Sequence, residues 1–486
     1  MLYNAFPPSI DWSMILPILV VASTGMLALL PEIITPKRQN GLIIVISLLG
    51  LLAGGALVIR QWGLPVGESF GGMVTRDQVA LVMQLLIIGA TILTILFSEN
   101  YLRQKRVPFG EFYPLMIWSA TGAMVMSTSR NLLMIFVGLE ILSIALYVLA
   151  GMSRDEEKSG ESALKYFLLG AFASAFLLYG IAMVYGASGT IHLNGIGSAW
   201  MSGDPTSRTL VLFGLGMMLI GLSFKASFVP FHQWTPDVYQ GAPTNVTTFM
   251  ASVSKMGAFA AIIRILDATQ ILKDYWIPAI FWIAIVTMTI GNLVALVQKD
   301  VKRILGYSSI AHAGYMLVAI LAHYKDPQAV PTLTSLFYYL LSYSLMTIGA
   351  FAIISLSAKD GKEGTKLSDL YGMWHRSPLA AAALVICCVS LIGVPITSGF
   401  VGKFLIFKDA LSSGLAPLAI VLAINSAVSV FYYLGIMRAA FVADEEGRKN
   451  RLANNSGVSA TAFICSVGVI AVGIGAFYIT PYLAGR

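Results

Sequence analysis

The chain has 486 residues, 57% hydrophobic and only 11% charged, with a mean hydropathy of +0.79. A soluble domain carries roughly 25% charged residues, so this composition excludes a water-soluble globular protein and points to an integral membrane one. The formal net charge is +7, and three cysteines, Cys387, Cys388 and Cys465, lie in apolar runs without CxxC spacing, which argues against a disulfide framework or a cysteine-held cluster.

A bilayer is spanned by roughly 17 to 25 mostly apolar residues. By that measure the first seven spans are predicted at 13–34, 41–60, 78–98, 112–128, 131–151, 162–185 and 209–235. Seven more are predicted at 245–266, 276–298, 304–323, 333–357, 379–411, 415–442 and 459–482. The expected fold is all-α: one polytopic membrane domain, 1–486, of about fourteen transmembrane helices. No Lys or Arg precedes the first apolar run, so no cleaved signal is expected.

Loops after odd-numbered spans hold twice as many Lys and Arg as those after even-numbered spans; Lys37, Arg38, Arg103, Lys105, Arg106, Lys302, Arg448 and Lys449 are among the former, Arg264 among the latter. The positive-inside rule then puts both termini outside and makes the net charge an orientation signal, with no nucleic acid needed to explain it.

Two spans carry a proline deep inside an apolar run, Pro230 in LVLFGLGMMLIGLSFKASFVPFHQW and Pro395 in AAALVICCVSLIGVPITSGFVGKFLIF. A proline supplies no N–H and clashes with the carbonyl four residues back, here those of Ala226 and Leu391, so both helices are expected to break. Breaks at membrane depth persist only where protein or water satisfies the freed groups. The broken spans are the seventh and the twelfth. Three N-terminal helices (1–111), a first five-helix unit (112–266), a second (276–442) and a C-terminal helix (459–482) follow. An odd number of helices per unit makes the second inverted relative to the first, as in transporters with discontinuous helices.

With the other basic residues assigned to loops, four lysines remain inside predicted spans, Lys165, Lys225, Lys255 and Lys403, and one carboxylate, Glu140, sits mid-helix. Each Lys at a helix centre costs on the order of 3 kcal/mol, so the set opposes insertion by roughly 10 kcal/mol and something must offset it. Burial favours the neutral form of an amine, and a lysine that is easily neutral can carry a proton. Lys225 lies one turn before Pro230, where the break opens room for water and freed carbonyls. The alternative is a structural ion pair with Glu140, and the two readings are compatible. Lys403, after Pro395 between Gly402 and a further apolar run, mirrors that arrangement. Lys255 sits among small residues in ASVSKMGAFAA. Lys165, near its helix start, is instead placed to snorkel beside Glu161 and Lys158. His312 in ILGYSSIAHAGYM titrates near neutrality and is placed to bridge the halves, against the bland reading of a hydrogen-bonded helix contact. His232 and Asp237, in VPFHQWTPDVYQGAP, follow the break and are read first as shaping the connecting loop and second as proton-transfer groups. No GxGxxG within a βαβ pattern and no GxxxxGK[ST] loop marks a nucleotide site, so the driving force is expected from a gradient or a partner.

The runs GLSFKASFVPFHQWTPDVYQGAPTNV, VGLEILSIALYVLAGM, KRILGYSSIAHAGYM and GVPITSGFVGKF resemble the antiporter-like membrane subunits of respiratory complex I, over the whole chain. Within that family ESALKYFLLGAFASAFLLYG, the fourteen-helix length and a lysine instead of a glutamate at position 403 resemble the N branch of bacterial NADH:quinone oxidoreductase.

The resemblance implies that Glu140 and Lys225 form a pair, that Lys255 is a central and Lys403 a distal proton-carrying lysine, and that His312 lies on the hydrated path between halves. It implies a proton-translocating subunit without redox chemistry of its own. NADH, FMN, iron–sulfur clusters and quinone would then belong to partner subunits: sibling and small membrane chains and a hydrophilic redox arm, in a bacterial inner membrane. The alternatives are a subunit of a multi-subunit cation/proton antiporter or membrane-bound hydrogenase, and a structural membrane subunit whose charges form inert pairs.

Overall fold

The computed structural model describes residues 10–34, 40–104, 107, 109–357, 363–443 and 456–485. The basic loop residues Lys37, Arg38, Lys105, Arg106, Lys359, Lys362, Arg448, Lys449, Arg451 and Arg486 lie outside them.

The chain is an all-α polytopic membrane protein. Its helices in order are α1 Leu16–Ile34, α2 Leu42–Arg60, α3 Gln78–Gln104, α4 Phe109–Thr128, α5 Leu132–Ala150, α6 Glu157–Ser188 and a short α7 Asn194–Met201. Then follow α8 Pro205–Ala226, α9 Trp234–Gly241, α10 Thr244–Phe249, α11 Lys255–Ala268, α12 Lys273–Leu296, α13 Val301–Lys325 and α14 Thr334–Ile354. The last six are α15 Met373–Arg376, α16 Pro378–Ile392, α17 Ser398–Ser412, α18 Ala416–Phe441, α19 Ser456–Ile474 and α20 Ala476–Leu483. Between α2 and α3 a small antiparallel hairpin pairs β1 Gly67–Ser69 with β2 Val74–Arg76. Among the described residues twelve helices are long and apolar enough to cross a membrane. The other two predicted spans correspond to the 20-residue α4 and to the α16–α17 pair, two segments of 15 residues each.

The helices sort into a centre and a rim. The continuous helix Thr244–Ala268 has its whole apolar window buried inside the chain, and Val301–Lys325 has 94% of it, whereas α1 and α2 bury only 33%. In a membrane the rim can face lipid, while polar side chains collect on the central helices, where only other helices can satisfy them.

Both proline-containing spans break as expected. The predicted span 209–235 is α8, a turn and then α9; the predicted span 379–411 is α16, a turn and α17. Two departures from the sequence reading stand out. The helix Thr244–Ala268 contains a π-helical turn, Met250–Ser254, immediately before Lys255. The C-terminal span is divided at Gly475 into α19 and α20.

Charge counting also misplaced two residues. Arg264 is not in a loop but buried in α11, where its guanidinium holds Asp77 at 2.5 and 2.8 Å and the Ser127 carbonyl that ends α4. Burial alone would raise the Asp77 carboxyl, but the Arg264 charge and hydrogen bonds outweigh it and hold it below the usual carboxylate range. Lys302 is likewise fully buried, paired with Glu363 at 2.7 Å. A hydropathy pattern cannot separate a basic residue at a helix end facing water from one facing an acidic partner across the bundle.

Candidate functional site

The first break shows where freed backbone groups go. Ser227, in the left-handed region at φ 67°, ends α8. Its N–H and the Trp234 indole N–H both donate to Phe224 O, at 3.1 and 2.8 Å, and Phe228 N–H donates to Ser223 O at 2.9 Å. The Val229 N–H donates to Thr287 Oγ1 at 3.1 Å. With those carbonyls occupied, Lys225, only 4% exposed, turns elsewhere. Its Nζ donates to Ser143 Oγ and Tyr166 OH, both at 2.8 Å, and lies over the Tyr166 and Tyr147 rings at 4.9 and 5.8 Å.

Glu140 sits about one turn before Ser143 on α5 and accepts a hydrogen bond from Ser174 on α6. The expected Glu140–Lys225 pair is therefore not a direct ion pair. A small cleft lined by Ser143, Ser174, Tyr147 and Lys225 among apolar neighbours lies between the helices that carry them.

Lys255 follows the π-helical turn and donates to Ser309 O at 2.5 Å and Ser309 Oγ at 2.6 Å on α13, with the Tyr343 ring at 5.5 Å. About one turn beyond Ser309, His312 bonds through Nδ1 to Tyr339 OH at 2.7 Å and through Nε2 to Tyr433 OH at 3.1 Å. Its ring contacts those of Tyr315, Tyr339 and Tyr343.

At the second break Gly393 (φ 91°) and Ile396 (φ 78°) carry the left-handed conformations. Here the freed carbonyls meet the lysine: Lys403 Nζ donates to Leu391 O at 2.9 Å, Ile392 O at 2.8 Å and Ser426 Oγ at 2.8 Å. It also lies 5.3 Å over the Tyr315 ring. Tyr343 under Lys255, His312, and Tyr315 under Lys403 thus form one buried polar and aromatic line through the second half.

The remaining candidates stand outside that line. Lys165, with its side chain 44% exposed, ion-pairs with Glu161 at 2.7 Å and Asp237 at 3.1 Å, and Asp237 also pairs with Arg303 at 2.6 Å. Burial would raise the Asp237 carboxyl, but Arg303 and Lys165 outweigh it and hold it below its usual range. His232 is half-buried in the turn after the break, and its Nδ1 finds no hydrogen-bond partner among the described residues.

Sequence reasoning passed over the uncharged partners, Ser143, Tyr166, Ser309, Ser426 and the tyrosines around His312. Spacing did hint at some of them, since Tyr315 lies three residues after His312, and Tyr339 and Tyr343 share a helix face.

Residues 129–429, which contain every lysine, histidine and acidic residue of this arrangement, match the family model described as NADH:quinone oxidoreductase/Mrp antiporter, TM. NADH-quinone oxidoreductase subunit N of Trichlorobacter lovleyi is 41% identical over 430 residues, 88% of this chain and 87% of that one. Its counterpart in Chloroflexus aggregans is 37% identical over 474 residues, 96% of this chain and 95% of that one. The chain belongs to the subunit N family of NADH-quinone oxidoreductase.

Among solved structures, a chain of respiratory complex I from Thermus thermophilus with bound aureothin superposes with a TM-score of 0.81 at 35% identity, over 96% of this chain and 99% of that one. A chain of the archaeal membrane-bound sulfane sulfur reductase (TM-score 0.84, 22% identity, 98% of this chain and 97% of that one) shares the fold.

Proposed function

We propose that this chain is the proton-translocating subunit N of an NADH:quinone oxidoreductase, moving protons through Lys225, Lys255, His312 and Lys403 with Glu140 acting on Lys225. The observation that carries this is the set of buried lysines, each donating to protein oxygen atoms across helix boundaries, two of them beside broken helices. Charges so expensive in a membrane are retained where they serve transport. Hydroxyls and an imidazole between them, each able to donate and to accept, supply sites for proton hopping with water.

The units 112–266 and 276–442 form two inverted half-paths meeting at His312. Lys165, Asp237 and His232 shape the rim of the first. The redox chemistry, with NADH, FMN, iron–sulfur clusters and quinone, belongs to partner subunits, so this chain pumps without being the catalytic one. It sits with sibling membrane chains in a bacterial inner membrane, both termini outside.

The test begins with a tagged chain extracted in mild detergent. Co-purification with flavin and iron–sulfur subunits and with NADH-to-quinone activity supports the assignment; co-purification with membrane chains alone moves it to a cation/proton antiporter. In inverted vesicles Lys225→Met should then abolish NADH-driven acidification. Normal acidification would leave the buried charges as inert structural pairs.

A further inference from the structure

The helix Thr244–Ala268, which carries Lys255, is fastened at both ends by buried ion pairs. Near its C-terminal end Arg264 holds Asp77, the residue just before α3, whose carboxylate also accepts from Ala80 N–H. At its start the fastening is denser. Glu363, in the loop after α14, accepts from Thr244 N–H and Thr244 Oγ1, both at 2.9 Å, from the Tyr101 hydroxyl on α3, and from Lys302 Nζ at 2.7 Å. Lys302 donates a second bond, 2.6 Å, to Ala242 O.

Lys302 opens α13, and about two turns further along the same helix is Ser309, the hydroxyl and carbonyl that receive Lys255. One carboxylate therefore ties the starts of the two helices whose midpoints meet at Lys255. Burial would raise the Glu363 carboxyl, but the Lys302 charge and the hydrogen bonds outweigh this and keep it below the usual range. A group held ionised in this way is a fastening and not a proton carrier.

We infer that Glu363 and Lys302 are positioning residues for proton transfer: their pair sets the axial register between the Lys255 helix and α13 and so holds Lys255 Nζ on Ser309. The inference rests on the proposed role of Lys255. It explains why a buried pair is kept where apolar residues would pack without a desolvation cost. It also gives the loop after α14, which leads toward the second broken helix, a direct mechanical link to the start of the Lys255 helix.

The test measures protons moved per NADH oxidised by the assembled complex in inverted vesicles. The double variant Lys302→Met/Glu363→Gln removes both charges, which spares the fold the unpaired charge that a single substitution leaves. It is expected to assemble at wild-type yield with the proton ratio reduced about tenfold, within the loss a displacement of ~1 Å produces. Glu363→Asp keeps charge and hydrogen bonds on a shorter arm; a lowered ratio at normal assembly supports the register role. A wild-type ratio in either assembled variant overturns it, leaving the pair as a fold element. Lys255→Met is the control. If that variant also pumps normally, the proton role of Lys255 falls and the inference with it, an outcome distinct from normal pumping by the register variants alone.

Discussion

The two proline breaks use the same backbone device and hand their lysines different surroundings. At the first, the freed carbonyls are taken by Trp234 and by backbone N–H groups, so Lys225 is left with two hydroxyls, Ser143 and Tyr166. At the second, two freed carbonyls hold Lys403 directly and only one hydroxyl, Ser426, joins them. A hydroxyl can donate or accept, so it serves an amine in either protonation state; a carbonyl can only accept. In the proposed proton-carrying role Lys225 would keep its partners through a protonation cycle, whereas Lys403 would depend on Ser426 for any donor when neutral. The break is thus a way of choosing which atoms a buried lysine sees, and a lysine before its proline, Lys225, does not meet the same atoms as one after it, Lys403.

That contrast can be broken most severely at the lysines themselves. Lys225→Met and Lys403→Met should each reduce NADH-driven acidification by about 10² or more, the scale of removing a proton-transfer group; equal, full pumping in both would erase the distinction along with the transport role. A finer cut removes hydroxyls. Tyr166→Phe should slow proton transfer about tenfold, and Ser426→Ala several-fold less, because Lys403 keeps its two carbonyls, a difference on the scale of one hydrogen bond. The reverse order would show that carbonyl contacts do not hold Lys403 in the working state.

Next comes the backbone. Gly393→Ala places a Cβ at φ 91° and 3.1 Å from Lys403 Cδ, so it should destabilise the extracted protein by about 1–3 kcal/mol in thermal unfolding. Ser227→Gly at the equivalent point of the first break relieves a left-handed serine but removes the buried oxygen that accepts from Thr235 Oγ1 at 2.8 Å, so it should cost about 1 kcal/mol in the same measurement.

The smallest effect is expected at Asp237, where Asn should cost under about 1 kcal/mol because the ion pairs are partly exposed. Its carboxyl lies below the usual value when folded, so the stabilisation is complete above a pH of about 4 and is lost as pH falls through the lower folded value. The Asn variant and the parent should therefore converge only at strongly acid pH in a stability titration.

Much of this was legible in the sequence because prolines and buried charges act locally. Pro230 and Pro395 announce breaks through a missing N–H, and a lysine in an apolar run is conspicuous whatever the fold. What surrounds those lysines was not legible. Ser143 and Ser309 look like any small residue of a packed helix, and which carbonyls a break leaves open depends on Trp234, whose indole reaches back from the next helix. The Glu140–Lys225 contact failed as a direct pair because a three-residue offset along α5 puts Ser143, not Glu140, within reach. Arg264 and Lys302 were assigned to loops because hydropathy registers a helix end and not the acid that faces it. The division at Gly475 lacks the proline that marked the other two.

The π-helical turn before Lys255 adds one residue to a helix whose ends are fixed. Every side chain after it is rotated by about 100° relative to an uninterrupted helix. Deleting a single residue between Met250 and Ser254 would thus restore regular geometry and improve the helix by every local criterion. Lys255 would then be aimed away from Ser309, or Arg264 from Asp77. Regularity at this point and alignment at both ends are mutually exclusive, and the chain keeps the irregular turn.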